Sequence, residues 1–167
     1  MKILGGIVGG FIIAFGMMFF INFSQEDLKS DLEGYPLESL DVLTSEDESY
    51  TFEVAIANDW RERALGLQYV EYLPETQGMW FIFENEAERL FWMKDTLIHL
   101  DIIFVDADFE IIKIHHDVPT CREEDEEQLD CPNYRSAEPS QYVLELKGGT
   151  ASKYGFSEGD TILGPLN

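Results

Sequence analysis

Apolar residues outside the N-terminus fall into runs of strand length, and the run Leu100-Asp101-Ile102-Ile103-Phe104-Val105 carries one acid near its start. Just before it stands Phe91-Trp92-Met93-Lys94-Asp95-Thr96, two aromatics, a Met and a Lys in sequence. An apolar strand of this kind needs walls, and the segments between Phe52 and Ile162 can supply them. Leu40–Thr44 and Tyr50–Ala57 alternate apolar and polar residues around a turn-rich Ser45–Ser49, the pattern of a half-buried antiparallel hairpin. Asp59 followed by Glu62 fits a capping box, predicting a short helix with Trp60, Ala64 and Leu67 on one face and Gly66 at its end. Met79–Phe83 reads as a buried strand, Glu84–Glu88 as a polar turn and Arg89–Lys94 as the next strand. On that strand Leu90, Trp92 and Lys94 face one side, Phe91 and Met93 the other. Leu100–Val105 and Glu110–His115 flank Asp106-Ala107-Asp108 as a second hairpin, and Gln141–Leu146 is a further strand. Ala151–Tyr154, ended by Gly155, reads as a second short helix, and Gly159–Leu163 closes the domain. Many short strands with two small helices predict an α+β fold, mostly antiparallel sheet, curling into a partial barrel.

The N-terminus obeys a different rule. No charge occurs from Ile3 to Gln25, and about 20 apolar residues are enough to cross a bilayer core as a helix. No small-residue cleavage site follows Phe23, so residues 1–24 read as an uncleaved signal anchor that meets the lipid bilayer through residues 3–23. Lys2 precedes the run while Glu26, Asp27 and Asp31 follow it, which places the N-terminus in the cytoplasm and the domain outside. Residues 25–38 read as an acidic tether and 39–167 as one domain.

A formal net charge of −22 keeps the chain soluble and repels nucleic acid, so nucleic-acid binding is excluded as a main role. A solvated acidic surface suited to high salt is the plain reading of that charge. Cys121 and Cys131 are the only cysteines, and an even count in an extracytoplasmic domain favours a disulfide. A metal site joining them to His115 and His116 has no Cys-x-x-Cys spacing to support it, and the six acids between them lack the ligand order of a calcium loop.

The order of motifs resembles the uncharacterised family called domain of unknown function 192, over about residues 52–162. Glu62-Arg63-Ala64 before Gly66-Leu67, Gly78-Met79-x-Phe81-x-Phe83, and Phe91-Trp92-Met93-Lys94-x-Thr96 with Leu100-Asp101-Ile102 carry the likeness. So do the Cys121 and Cys131-Pro132 pair, Tyr142-Val143-Leu144-Glu145-Leu146, and Gly149, Ala151 and Gly159-Asp160. Leu65 stands where the family usually has Arg, and Gln68-Tyr69-Val70 where it has Met-Phe-Arg. Asp95 replaces Asn and His99 replaces Pro. The resemblance implies no agreed activity, and an N-terminal signal or anchor is common in the family.

Candidate chemistry centres on Asp101, because a carboxylate in apolar surroundings needs hydrogen-bond partners to keep its charge. Backbone N–H groups, Thr96 or Lys94 would make it structural. A pocket walled by Trp92, Trp80 and Phe81 would make it functional, with Lys94 as salt partner or ligand contact. The binding candidates are therefore Trp80, Trp92, Lys94 and Asp101. No catalytic residue is assigned, and no cofactor or metal is expected, since hydrolase, Walker and zinc-protease patterns are missing. The expected role is a membrane-anchored module binding a small ligand or an envelope protein. The rivals are an envelope enzyme using Asp101 or Asp95 as acid, and a purely structural module.

Overall fold

The computed structural model describes residues 32, 35–121 and 131–166. The proposed anchor and most of the tether lie outside them, as does the acidic loop 122–130. No helix among the described residues is long and apolar enough to cross a membrane. The described chain runs β1 (Leu37–Leu43), β2 (Ser49–Ala57), α1 (Trp60–Leu65), β3 (Gln77–Ala87), β4 (Leu90–Trp92) and β5 (Leu100–Val105). It continues through β6 (Ile111–Val118), β7 (Asn133–Arg135), β8 (Ser140–Lys147), α2 (Thr150–Tyr154) and β9 (Thr161–Leu163). Seven strands form one sheet in the order β6-β5-β8-β3-β2-β1-β9. Its far edges approach each other: Glu110 bridges Thr161, and the N–H of Ile111 donates to the Asp160 carbonyl at 2.8 Å. The sheet thus curls as a partial barrel, and the α+β expectation holds for the domain.

Both hairpins form as expected, β1 against β2 and β5 against β6. The inner face of the curl is filled by Val42, Phe52, Trp80, Ile103 and Leu144 among others. The outer face of β3, β5 and β8 is covered as well, by Leu67, Leu73, Met93 and their neighbours. That double coverage explains why β5 is buried at every position and reads as a continuous apolar run. Each such buried Leu, Ile or Phe contributes about 1.5–3 kcal/mol of apolar burial.

Three expectations are corrected. Glu84–Glu88 is not a turn: β3 continues to Ala87, and its pairing with β8 breaks between Ile82 and Ala87, leaving Glu84, Asn85 and Glu86 extended but solvent-facing. Arg89–Lys94 is not a long central strand. Only Leu90–Trp92 is extended, and it pairs with β7 in a separate two-stranded sheet that lies over the outer face. Trp60 does not join an apolar helix face. It is 69% exposed, and α1 buries none of its residues. The helix is held instead by its cap, in which the Asp59 carboxylate accepts from the Glu62 N–H while the Glu62 carboxylate accepts from the Asp59 N–H.

One pairing was not foreseen. β2 and β3 run parallel, with α1 in the connection between them. β3 and β8 then pack backbone against backbone at Gly78, where a Cβ would strike the Glu145 carbonyl oxygen.

Candidate functional site

Strand alternation along β8 sends Tyr142, Leu144 and Leu146 into the barrel interior and puts Val143 and Glu145 on the outer face. Glu145 is flanked by Met79 on β3 and Ile102 on β5, so neither strand partner directly opposite it is polar. It is 4% exposed. Among the described residues no hydrogen bond or opposite charge acts on its carboxyl. Burial alone, with no opposing charge, pushes its carboxyl up to about 8. At neutral pH it is therefore a neutral acid, with one O–H to donate and oxygens to accept.

Over Glu145 lies a recess of about 30 Å³, room for one or two water-sized groups. Its walls come from three places: the end of α1 and the turn after it (Arg63 to Gln68), Phe81 of β3, and the segment Phe91, Trp92, Lys94 and Thr96. Gly66 has a φ of 51° and passes the Phe81 ring so closely that a Cβ there would touch it at 3.4 Å. Phe91 packs edge-on to Phe81 and Phe104, with centroids 5.0 and 5.6 Å away. Trp92 is 50% exposed at the mouth, and the Lys94 ammonium lies 5.7 Å from its ring centroid. Arg63 is pinned, since its Nη1 donates to the carbonyls of Asn58 and Ile82 and its guanidinium lies over Phe83. Cys121 and Cys131 form a disulfide, with Cα atoms 5.8 Å apart. Cys121 forms β-bridges to Lys94 and Thr96 and accepts the Asp95 N–H at 3.0 Å, so the cross-link braces the recess wall.

The four candidate residues do not share one pocket. Trp92 and Lys94 border the recess. Trp80 lies on the inner face, fully buried, stacked on Tyr142 and donating its indole N–H to the Pro165 carbonyl. Asp101 also faces inward and is fully buried, where its carboxylate accepts from three backbone N–H groups: Asp117 at 2.7 Å, Gly149 at 3.1 Å and Ala151 at 2.7 Å. It staples the end of β6 and the start of α2 to β5. The Asp95 carboxylate accepts the Tyr69 hydroxyl at 3.2 Å, and His99 pairs with Asp117 at 3.0 Å. Among the described residues no group of His, Cys, Asp and Glu side chains is placed to hold a metal ion.

A larger cavity, about 310 Å³, opens beside His99, Gly148, Lys147, Tyr72, Leu73 and Ile98. Its histidine is already paired with Asp117. The recess over Glu145 is smaller but holds a buried acid on which no opposite charge acts among the described residues. That places the candidate site there.

The family model for domain of unknown function 192, described as an uncharacterised ACR, matches residues 42–164. The chain belongs to this family. A crystal structure of a candidate transcription regulator from Sinorhizobium meliloti 1021 is similar at 32% identity and a TM-score of 0.70, over 78% of this chain and 95% of that one. A protein of unknown function from Novosphingobium aromaticivorans DSM 12444 is similar at 27% identity and a TM-score of 0.71, over 83% and 95% of the two chains. No curated protein matches. Leu65 and Gln68 both line the recess.

Sequence reasoning singled out Asp101 and passed over Glu145. The signal was present: a lone acid inside Tyr142-Val143-Leu144-Glu145-Leu146, two residues from Val143 and therefore on the same face of an apolar strand.

Proposed function

We propose that the protein is a membrane-anchored binding module on the extracytoplasmic side, taking a small ligand or the tip of a partner segment into the recess over Glu145. The observation that carries this reading is the buried Glu145 carboxyl, which has no partner among the described residues and opens on a recess bordered by Trp92 and Lys94. A ligand entering there removes the cost of an unsatisfied buried polar group, which is worth about 1–3 kcal/mol. Trp92 adds an exposed aromatic plate of the kind that anchors ligands and partner chains. The anchor rests on the uncharged residues 3–23 and the Lys2 flank, and the disulfide supports an oxidising compartment.

The test is a fragment panel of cations, anions, polyols and short peptides, titrated onto the full chain in detergent micelles. Backbone amide shifts and Trp fluorescence are the readouts. Shifts gathered at Phe91–Thr96 and Glu145, and lost in Glu145→Gln, support the assignment. A panel that moves no resonance there leaves a purely structural module as the answer.

A further inference from the structure

We propose that the recess over Glu145 binds a primary ammonium group, with the carboxylate as counter-ion and the rings of Phe81, Phe91 and Trp92 as walls. This rests on the recess being the binding site and adds the chemical class of its ligand.

Four observations converge. The carboxyl is buried and in no ion pair among the described residues, so a cation is the ligand that supplies what the fold withholds. At about 30 Å³ the recess has room for one or two water-sized groups, and so for an –NH₃⁺ head. Aromatic rings on three positions favour a cation electrostatically. The net charge of −22 concentrates cations around the domain.

The charged groups packed around Glu145 do not already fill the role. Arg63 of α1 donates to the Asn58 and Ile82 carbonyls. Lys94 lies over Trp92. His115 of β6 is on the same sheet face, across β5 from Glu145, and its Nε2 meets the Arg135 carbonyl at 2.8 Å. β3 places Met79 opposite Glu145 and Phe81 two residues on, with the uncharged Gln77 two residues before Met79 on the same face.

The exchange balances simply. The amine arrives protonated, the Glu145 O–H breaks, its proton leaves to solvent, and the ammonium hydrogen-bonds the resulting carboxylate. Binding therefore releases a proton wherever the empty recess holds a neutral acid.

The experiment is calorimetry on the full chain in maltoside micelles from pH 6 to 9, in two buffers of different ionisation enthalpy. Propylamine, propanol and propionate are the probes. Propylamine should bind with close to one proton released at pH 7, and its affinity should weaken by up to about tenfold for each pH unit below 8. Glu145→Gln, neutral and nearly isosteric, should weaken it at least tenfold and abolish proton release. Nα-acetyl-lysine amide, which keeps its side-chain ammonium, binding more tightly than propylamine points to a protein side chain as the source, and the reverse order to a free amine. Propanol or propionate binding as tightly as propylamine overturns the ammonium assignment, as does an affinity for propylamine that falls with rising pH. If propylamine fails while other members of the wider panel move the Glu145 resonances, the assignment falls and the site stands. If nothing moves them, both fall.

Discussion

Replacing Glu145 with Gln should make the protein more stable in alkali and leave it little changed in mild acid. The sign follows from the direction of the shift. Below the ordinary glutamate value of 4.5 the side chain is protonated both folded and unfolded, and contributes no difference. Between 4.5 and about 8 the unfolded chain ionises while the folded one keeps its proton, so wild-type stability falls as pH rises. Above about 8 both forms are ionised and the loss levels off. At about 1.4 kcal/mol per unit, the loss between pH 5 and pH 8 is about 3 to 4 kcal/mol, a large part of the 5–15 kcal/mol that holds a typical domain together. Gln keeps the shape and cannot ionise, so the variant lacks this loss. Urea unfolding of both proteins at half-unit intervals from pH 5 to 9 gives the difference directly, and the other carboxylates cancel in it. Parallel stability curves, or a wild type that gains on the variant with rising pH, would refute the reasoning.

Asp101→Asn removes one of two acceptor oxygens and turns an amide N–H₂ toward backbone N–H groups, so it should cost about 2 to 4 kcal/mol and lower the melting temperature by roughly 10 °C. An unchanged melting temperature would show that the staple is not structural. Cys121→Ser with Cys131→Ser should cost about 2 to 3 kcal/mol for a loop with a separation of 10 residues, and should move the amide resonances of Lys94 and Thr96. An unaltered urea midpoint would count against it. Gly78→Ala drives a methyl into the Glu145 carbonyl and should cost at least about 1 to 3 kcal/mol by overpacking, read from the same denaturation curves. A neutral result would mean that β3 and β8 can separate at that point.

The two hairpins, the capped helix and the second short helix were legible because each is specified locally, by alternation, by Asp59 with Glu62, or by Gly155. The parallel pairing of β2 with β3 was not, because it depends on which edge a strand meets after α1 and not on its own pattern. β4 was overread: Phe91 and Met93 are core residues, but they belong to a cover on the sheet and not to its centre. The need of Asp101 for partners was legible, and the backbone N–H groups that meet it come from residues as distant as Ala151. Glu145 escaped notice because an acid between two leucines looks like the solvent side of an amphipathic strand. It is buried only because a second layer covers that face.

The place of β8 in the sheet also governs how the domain can be made. β8 lies between β3 and β5, yet it is the last long strand to leave the ribosome. Until residue 147 has emerged, the β1-β2-β3 group and the β5-β6 hairpin each present an open strand edge with apolar residues on both faces. Edges of that kind recruit other chains, and the contacts that seal them are long-range and slow to form. The chain's exposure to aggregation therefore falls in the interval between synthesis of β5 and delivery of β8.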